Sequence, residues 1–469
     1  MTAVVIFIYL LALVAIGVWA AGRAKEASGF FLAGRRLGVL TAALATMASI
    51  MSGFVFVGGP GLFYTVGLGS FWIVISSSFT GAMMVWLLAK PLHDLATREG
   101  CLTVPDLVLA RYGCRFTSGA AAVAIVLGVI GYLATQFVAL GLILGAVVGV
   151  PFWAGLALGV CVLVFYTTAG GMVAAVYTDI IQGAVMLGAS VAIFILALGV
   201  QGGVAGASGV ILEKAPEVLS PWGSVGPLAC LGWFFLFAVG SLGQPHVINK
   251  FMMIRDPKAL KHFPWILAVS MLVCTLIWLG VGVSVKGAIL SGKLAPLGRP
   301  DDAVAAFLRA FAPPWLTALT YAAVISAIMS TADSFLNIGA AALTRDLPRA
   351  LGRSPKAEVL TGRIWSVALV LVSLLFAATT RKLVAYLGIL GFGMFAAALT
   401  PALALGLNWN AAGKQAARVG VVVGIAGAAL LEILDQAGIY HPGIAPPALA
   451  LALSLLAFVA TGLGAQRRP

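Results

Sequence analysis

Residues 327–337 read AIMSTADSFLN, and Ser330, Thr331, Asp333, Ser334 and Asn337 put polar side chains into an otherwise apolar run. On a helix, Ala327, Ser330 and Thr331 fall at i, i+3 and i+4 and share a face, which Ser326, Asp333, Ser334 and Asn337 extend into a stripe. Two hydroxyls and a loosened Ala327 carbonyl on one face are the hard oxygen ligands that a hard cation takes. Such a neutral set holds an ion weakly enough to release it. The competing reading is a helix–helix interface joined by hydroxyls. Asp333 favours function, because a carboxylate at membrane depth is costly unless it is paired or used. A second acid, Asp179, lies in YTTAGGMVAAVYTDIIQ, residues 166–182, with Thr178 and Gln182 beside it. Its competing reading is a carboxylate paired with a nearby donor. Glu432 and Asp435 fall only at the end of an apolar span.

The elements that must position these residues are membrane helices. The 469 residues are 62% hydrophobic and 9% charged, with mean hydropathy +1.09, against roughly a quarter charged in a soluble domain. Long continuous apolar runs, rather than alternating ten-residue segments, exclude a β-barrel. The pattern predicts an all-α polytopic protein with about thirteen spans, near 1–22, 39–66, 71–89, 116–148, 152–168, 176–203, 226–247, 263–288, 314–344, 361–380, 383–407, 417–438 and 444–465. With the N-terminus outside and the C-terminus cytoplasmic, 21 of the 28 Lys and Arg fall inside, among them Arg23, Lys25, Arg35, Arg36, Lys250, Arg345, Arg467 and Arg468. The net charge of +13 therefore reports orientation and not a nucleic-acid partner. The first span lacks a basic segment ahead of it and reads as a membrane helix, not a signal peptide. Five scattered cysteines form neither a disulfide framework nor a metal spacing. The absence of Asn-x-Ser/Thr sequons fits a bacterial inner membrane.

Two spans are interrupted by glycine and proline: ASIMSGFVFVGGPGLFYTVGLG, with Gly53 and then Gly58–Gly61, and FFLFAVGSLGQPHVINKF, with Gly240, Gly243 and Pro245. Both are expected to unwind near mid-membrane. They lie five spans apart and enter from opposite sides, the mark of a secondary transporter built from two inverted repeats. Plain proline kinks are the alternative. The whole chain, 1–469, reads as one membrane domain. Residues 1–38 are an added N-terminal helix and loop, 39–203 and 226–407 the two repeats, and 417–469 two C-terminal helices. Phe237, Ser241 and Gln244, spaced i, i+4 and i+7 at the second break, are expected to face a solute cavity together with Ser49 and Ser52. A half-helix N-terminus after Gly58–Gly61 would favour an anionic group on the solute, and no Lys or Arg is expected at mid-membrane.

The stretches FFLAGRRLG (30–38), GGPGLFYTVGLG (58–69), YTTAGGMVAAVYTDIIQ (166–182), GQPH (243–246) and MSTADS…LTRDL (329–347) together resemble the sodium:solute symporter family of sodium/proline, sodium/pantothenate and sodium/glucose cotransporters. The resemblance runs in family order over most of the chain. It implies a LeuT-type core whose first and sixth helices are broken. It also implies a sodium site made by the carbonyls of Ala48, Met51 and Ala327 and the hydroxyls of Ser330 and Thr331. In some relatives a second cation is held inward of the first, and the matching positions here are Asp179, Asp333 and Ser334. Proline transporters carry an aspartate where Ile50 stands and a Trp and a Tyr where Phe237 and Ser241 stand, whereas FVGGPGLFYTVGLG and MSTADS are closer to the pantothenate type.

The expected function is sodium-coupled import of a small organic solute, a carboxylate, amino acid or vitamin-like compound, by alternating access. Sodium is the coupling ion and no cofactor is implied; the lipid bilayer is the remaining partner, and the oligomeric state is open. A proton-coupled symporter using Asp179 or Asp333 is the nearest alternative. A non-transporting sensor is a second, set aside because the chain ends at GAQRRP without a signalling domain. An enzyme is not expected, since His93, His246, His262 and His441 are scattered.

Overall fold

The computed structural model describes residues 2–22, 32, 37–379, 383–440 and 443–466. Most of FFLAGRRLG, the basic residues Arg23, Lys25, Arg35, Arg36, Arg467 and Arg468, and His441 lie outside the described residues.

Among the described residues the chain is helical, with a single isolated bridge between Leu37 and Ile254. The main helices run α1 (Thr2–Ala21), α2 (Val39–Ile50), α3 (Gly59–Val66), α4 (Phe71–Met83), α5 (Lys90–Arg98), α6 (Val104–Tyr112) and α7 (Arg115–Val148). Then follow α8 (Phe152–Gly199), α9 (Gly203–Lys214), α10 (Pro227–Gly240), α11 (Pro245–Met253), α12 (Phe263–Leu290) and α13 (Ala303–Phe311). The last are α14 (Pro314–Ala341), α15 (Leu347–Ala350), α16 (Glu358–Thr379), α17 (Val384–Thr400), α18 (Lys414–Gln436) and α19 (Pro446–Gln466). Every residue from Thr320 to Ala342 is buried, so α14 is the central strut. Large apolar side chains such as Phe7, Trp86, Trp265 and Leu375 are exposed around the perimeter, as surfaces that face hydrocarbon must be.

Among the described residues ten helices are long and apolar enough to cross a bilayer, eleven with the bent pair α10–α11, against the thirteen spans expected. The difference arises at two places. The outer part of the second span and the third run together over Phe54–Gly81, and α8 is continuous over 48 residues. At 1.5 Å per residue α8 would be about 72 Å long if straight, over twice the hydrocarbon thickness. It is not straight. Gly171 stands at φ 54°, ψ −146°, a conformation that glycine adopts without a Cβ penalty. Along α1, Gly17 packs on Tyr166 and Ala20 on Gly170, while Trp19 meets the Tyr177 ring and Tyr9 accepts from Gln182 on the other side of the turn. The chain therefore doubles back at Gly171, as the two-span reading required.

Both expected breaks exist, one of them displaced. In the second, α10 ends at Gly240, a single turn covers Ser241–Gly243, and α11 departs at 41°. In the first, the helix ends at Ile50 and Met51 is extended, φ −73°, ψ 93°. The chain resumes at once as a π-helical turn, Phe54–Gly58, that leads into α3. Gly58–Gly61 was expected to unwind, but it is helical. Those glycines serve close packing instead: a Cβ on Gly59 would stand 2.4 Å from the Trp278 ring, one on Gly58 2.9 Å from the Ala385 nitrogen, and one on Gly61 2.8 Å from the Pro300 oxygen. Pro60 lies in the first turn of α3, where its missing N–H costs little.

Candidate functional site

The break in the first span is held open by side chains from other helices. The Gly53 N–H, which would bond the Ser49 carbonyl in a continuous helix, instead donates to Gln136 Oε1 of α7 at 2.9 Å. The last carbonyls of α2 are thereby turned toward α14. Ser330 Oγ donates to the Ala48 carbonyl at 2.8 Å and lies 3.2 Å from the Ala327 carbonyl. Thr331 Oγ1 donates to the Ser49 carbonyl at 2.9 Å. All of these groups are buried. Two hydroxyls and three carbonyls thus converge at the junction of α2 and α14, the kind of oxygen cluster a hard cation can hold. Four of the five residues named for the first sodium site stand at this junction. Met51, the fifth, caps α2 beside them and lines the cavity described below. The Ser49 carbonyl was not among the expected ligands, yet it is the partner that Thr331 takes.

One turn further along α14, Tyr166 donates to Asp333 Oδ2 at 2.9 Å and lies 3.3 Å from the Met329 carbonyl. Asp179 comes in from beyond the Gly171 turn. Its Oδ2 is 3.3 Å from Ser49 Oγ, which is itself 3.0 Å from Ser334 Oγ. The residues named for a second cation, Asp179, Asp333 and Ser334, are thus gathered in one buried cluster. A cation that the sequence reading placed elsewhere is already there. Lys250 Nζ bonds Asp179 Oδ2 at 2.8 Å, with both side chains at most 1% exposed. Lys250 was counted among the basic residues of an inside connector, and that expectation is corrected: it is buried in the second half of a broken helix. The reason is local. Lys250 belongs to α11, whose nine residues are all buried. The end of α11 is pinned by Leu37, through backbone bonds to Met253 and Arg255 of 3.1 and 3.0 Å, and by His93 at 3.0 Å from the Ile254 carbonyl. The added N-terminal helix takes part as well: the Tyr9 hydroxyl accepts from Gln182 at 2.9 Å and from Ser326 at 3.0 Å.

A small cavity lies between the two breaks. Phe237, Ser241 and Gln244 line it as expected, with Ile50, Tyr132 and His246. Ser49 and Ser52 do not. Ser49 faces the acid cluster, and Ser52 is 3.3 Å from the Tyr132 hydroxyl while its Oγ accepts from the Phe54 N–H at 3.1 Å. Both turn away because the break falls at Met51–Gly53, which rotates the end of α2 toward α7 and α14. The cavity wall is aromatic: Phe237 stacks on Phe54 at 5.6 Å and on Phe392 at 4.4 Å. Among the described residues its lining contains no Lys, Arg, Asp or Glu. Gln244 donates to the Gly240 and Phe392 carbonyls at 3.2 and 3.1 Å, which leaves its Oε1, like His246 Nδ1, buried without a hydrogen-bond partner. Spacing within the second break was enough to find Phe237, Ser241 and Gln244. Lys250 could have been found as the lone charge inside VINKFMMI, and Tyr132 had no signal beyond its type.

A helical membrane protein whose two broken helices enclose a cavity, with an oxygen cluster beside one break, is a secondary transporter of the LeuT type. The chain matches the sodium:solute symporter family over residues 30–424, and it belongs to that family. It is 28% identical over 435 residues to the osmoregulated proline transporter OpuE of Bacillus subtilis, covering 89% of this chain and 86% of the relative. It is also 28% identical over 444 residues to the sodium/pantothenate symporter of Escherichia coli, covering 92% and 89%. Among solved structures, a substrate-bound outward-open sodium-coupled sialic acid symporter superposes with a TM-score of 0.80 at 19% identity, covering 98% of this chain and 97% of that one. A closed nucleobase-cation-symport-1 family transporter superposes with a TM-score of 0.60 at 14% identity, covering 94% and 95%.

Proposed function

We propose that this sodium-coupled symporter imports a small carboxylate, amino acid or vitamin-like solute, which lies in the cavity between the α2–α3 and α10–α11 breaks while sodium binds at the α2–α14 junction. The observation that carries the ion assignment is the convergence of Ser330 and Thr331 on the Ala48 and Ser49 carbonyls. In this reading, a sodium ion replaces those hydroxyl–carbonyl bonds with direct coordination and so clamps the broken helix to α14. Loss of the ion releases the clamp. The inward gradient, aided by about 2.3 kcal/mol per charge per 100 mV of membrane potential, drives the cycle.

The solute assignment rests on the lining. An aromatic wall accepts an apolar body, the free Gln244 Oε1 awaits a donor such as an ammonium, amide or hydroxyl, and the free His246 Nδ1 takes an acceptor or a donor according to its tautomer. No cationic side chain among the described residues anchors a strong anion there, so a carboxylate would rely on backbone N–H groups at the helix breaks and on the nearby sodium. Proline and pantothenate, the solutes for which the relatives are named, are small carboxylates. We place the protein in a bacterial plasma membrane, N-terminus outside and C-terminus cytoplasmic, from the distribution of Lys and Arg. The two repeats are assigned to 39–203 and 226–407.

The test is sodium-dependent thermal stabilisation by a panel of carboxylates and amino acids, followed by uptake of the hit into proteoliposomes. Thr331→Val keeps the volume and removes one oxygen, so the half-saturating sodium concentration should rise by about ten- to a hundredfold, the loss of one ligand to a charged group. Ser330→Ala should do the same, while Thr344→Val, beyond the stripe, should leave it unchanged. Unaltered sodium dependence in both site variants would mean that the ion binds elsewhere.

A further inference from the structure

We infer that the Lys250 ammonium is a tethered cation that stands in for a second sodium, so that one sodium accompanies each solute. The inference rests on the proposed site at Ser330 and Thr331 and fixes its stoichiometry.

The buried cluster holds three groups that carry formal charge when ionised: Asp179, Asp333 and Lys250, each 0% exposed. Two carboxylates so placed in low dielectric cannot both stay ionised without positive charge beside them. Lys250 supplies one such charge on Asp179 Oδ2 at 2.8 Å. That oxygen, linked through Ser49 to Ser334, joins two of the three residues named for a second cation. An ammonium and a sodium ion cannot share Asp179 Oδ2, and the ammonium is covalently held by the chain. Its effective concentration at Asp179 therefore does not fall when the sodium concentration does. One carboxylate, Asp333, remains without a cationic partner among the described residues. Tyr166 holds its Oδ2 and its Oδ1 is unpartnered. It lies one turn from Ser330 on α14.

The helix that carries the ammonium gives the pair a positioning role. Lys250 is on α11, the second half of a broken helix, and Asp179 is on α8, so the pair ties one half of the molecule to the other. The tie does not depend on whether sodium is present. Sodium then controls only the α2–α14 clamp.

The experiment is equilibrium binding of radioactive sodium to the purified full-length chain, which needs no knowledge of the solute. The wild type should bind one sodium per chain with a Hill coefficient of about 1. Lys250→Met, which removes the charge and frees the Asp179 oxygens, should bind two, with the Hill coefficient rising toward about 2. Sodium should also raise its unfolding temperature more than it does for the wild type. Lys250→Arg keeps the charge and should bind one. The double variant Lys250→Met/Asp179→Asn, lacking both partners, should return to one. A wild type or Lys250→Arg protein that binds two sodium ions would overturn the inference and leave sodium symport standing. So would a folded Lys250→Met protein, judged by a monodisperse elution profile, that still binds one. A wild type that binds none would overturn the proposed sodium site along with it.

Discussion

Ser241 shows what one side chain decides in this cavity. It is buried in the turn between α10 and α11, where its hydroxyl donates to the Phe237 carbonyl at 2.5 Å, and it lines the cavity beside the stacked Phe54, Phe237 and Phe392. A tryptophan at 241 would fill that space with an indole and force the rings apart, and overpacking of this kind costs about 1–3 kcal/mol. Ser241→Trp should therefore abolish solute-dependent stabilisation while sodium binding at the site proposed at Ser330 and Thr331 stays measurable. Normal transport by this variant would place the solute elsewhere. The same scale explains Lys250: a charge embedded in apolar sequence is stable there only because Asp179 meets it.

At the scale of elements, the two breaks use proline and glycine differently. At α10–α11 the sequence SLGQP marks the bend itself, and Pro245 opens the new helix. At α2–α3 the densest glycine cluster is not the hinge; the bend falls at Met51–Gly53, where Gln136 takes a backbone donor. Gly59→Ala separates the two roles. If Gly59 were a hinge, alanine would stiffen the helix and stabilise it. In the packed arrangement the new Cβ meets the Trp278 ring at 2.4 Å, so thermal stability should fall by the equivalent of about 1–3 kcal/mol, with the ring forced away from Phe54. A rise in the unfolding temperature would restore the hinge reading. The connectors between spans are also locked, with Asp106 of α6 bonding Arg345 at 3.3 Å and Arg349 at 3.0 Å while Arg345 reaches Glu358 at 3.0 Å.

Across the whole molecule, the segment between α12 and α14 covers the far ends of α3 and α17. Asp301 accepts from the Val384 N–H, the first residue of α17, at 3.2 Å, and the Pro300 carbonyl backs against Gly61. Burial pushes the Asp301 carboxyl up to about 6, the Asp302 charge beside it adding to the rise, against the opposing pull of the Val384 N–H and Arg299. The sign follows from linkage. Because the folded-state value lies above the ordinary 3.8, the covered arrangement binds the proton better than the unfolded chain does. Its stability contribution is thus greatest below about pH 4, falls as pH rises toward about 6, and is level above that. The unfolding temperature measured from pH 4.5 to 7 should decline more steeply for the wild type than for Asp301→Asn, which keeps an acceptor for Val384 and cannot ionise. Parallel curves would exclude Asp301 as the source.

What the sequence by itself determined is what short-range pattern encodes. Unbroken apolar runs dictate membrane helices because a lipid-exposed backbone must satisfy its own hydrogen bonds. The i, i+3, i+4 spacing dictates that Ser330 and Thr331 share a face with Ala327, and the same logic put Phe237, Ser241 and Gln244 on the cavity. Only the tertiary structure decided which distant groups meet those faces. The Ser49 carbonyl became a partner of Thr331, and its side chain turned from the cavity to Asp179, because Gln136, 83 positions further along the chain, captures the Gly53 N–H. Lys250 changed from a connector charge to a buried partner of Asp179, 71 positions away. Composition and spacing specify what a residue can do; the long-range pairing that desolvates it and supplies its counter-charge is a property of the folded chain.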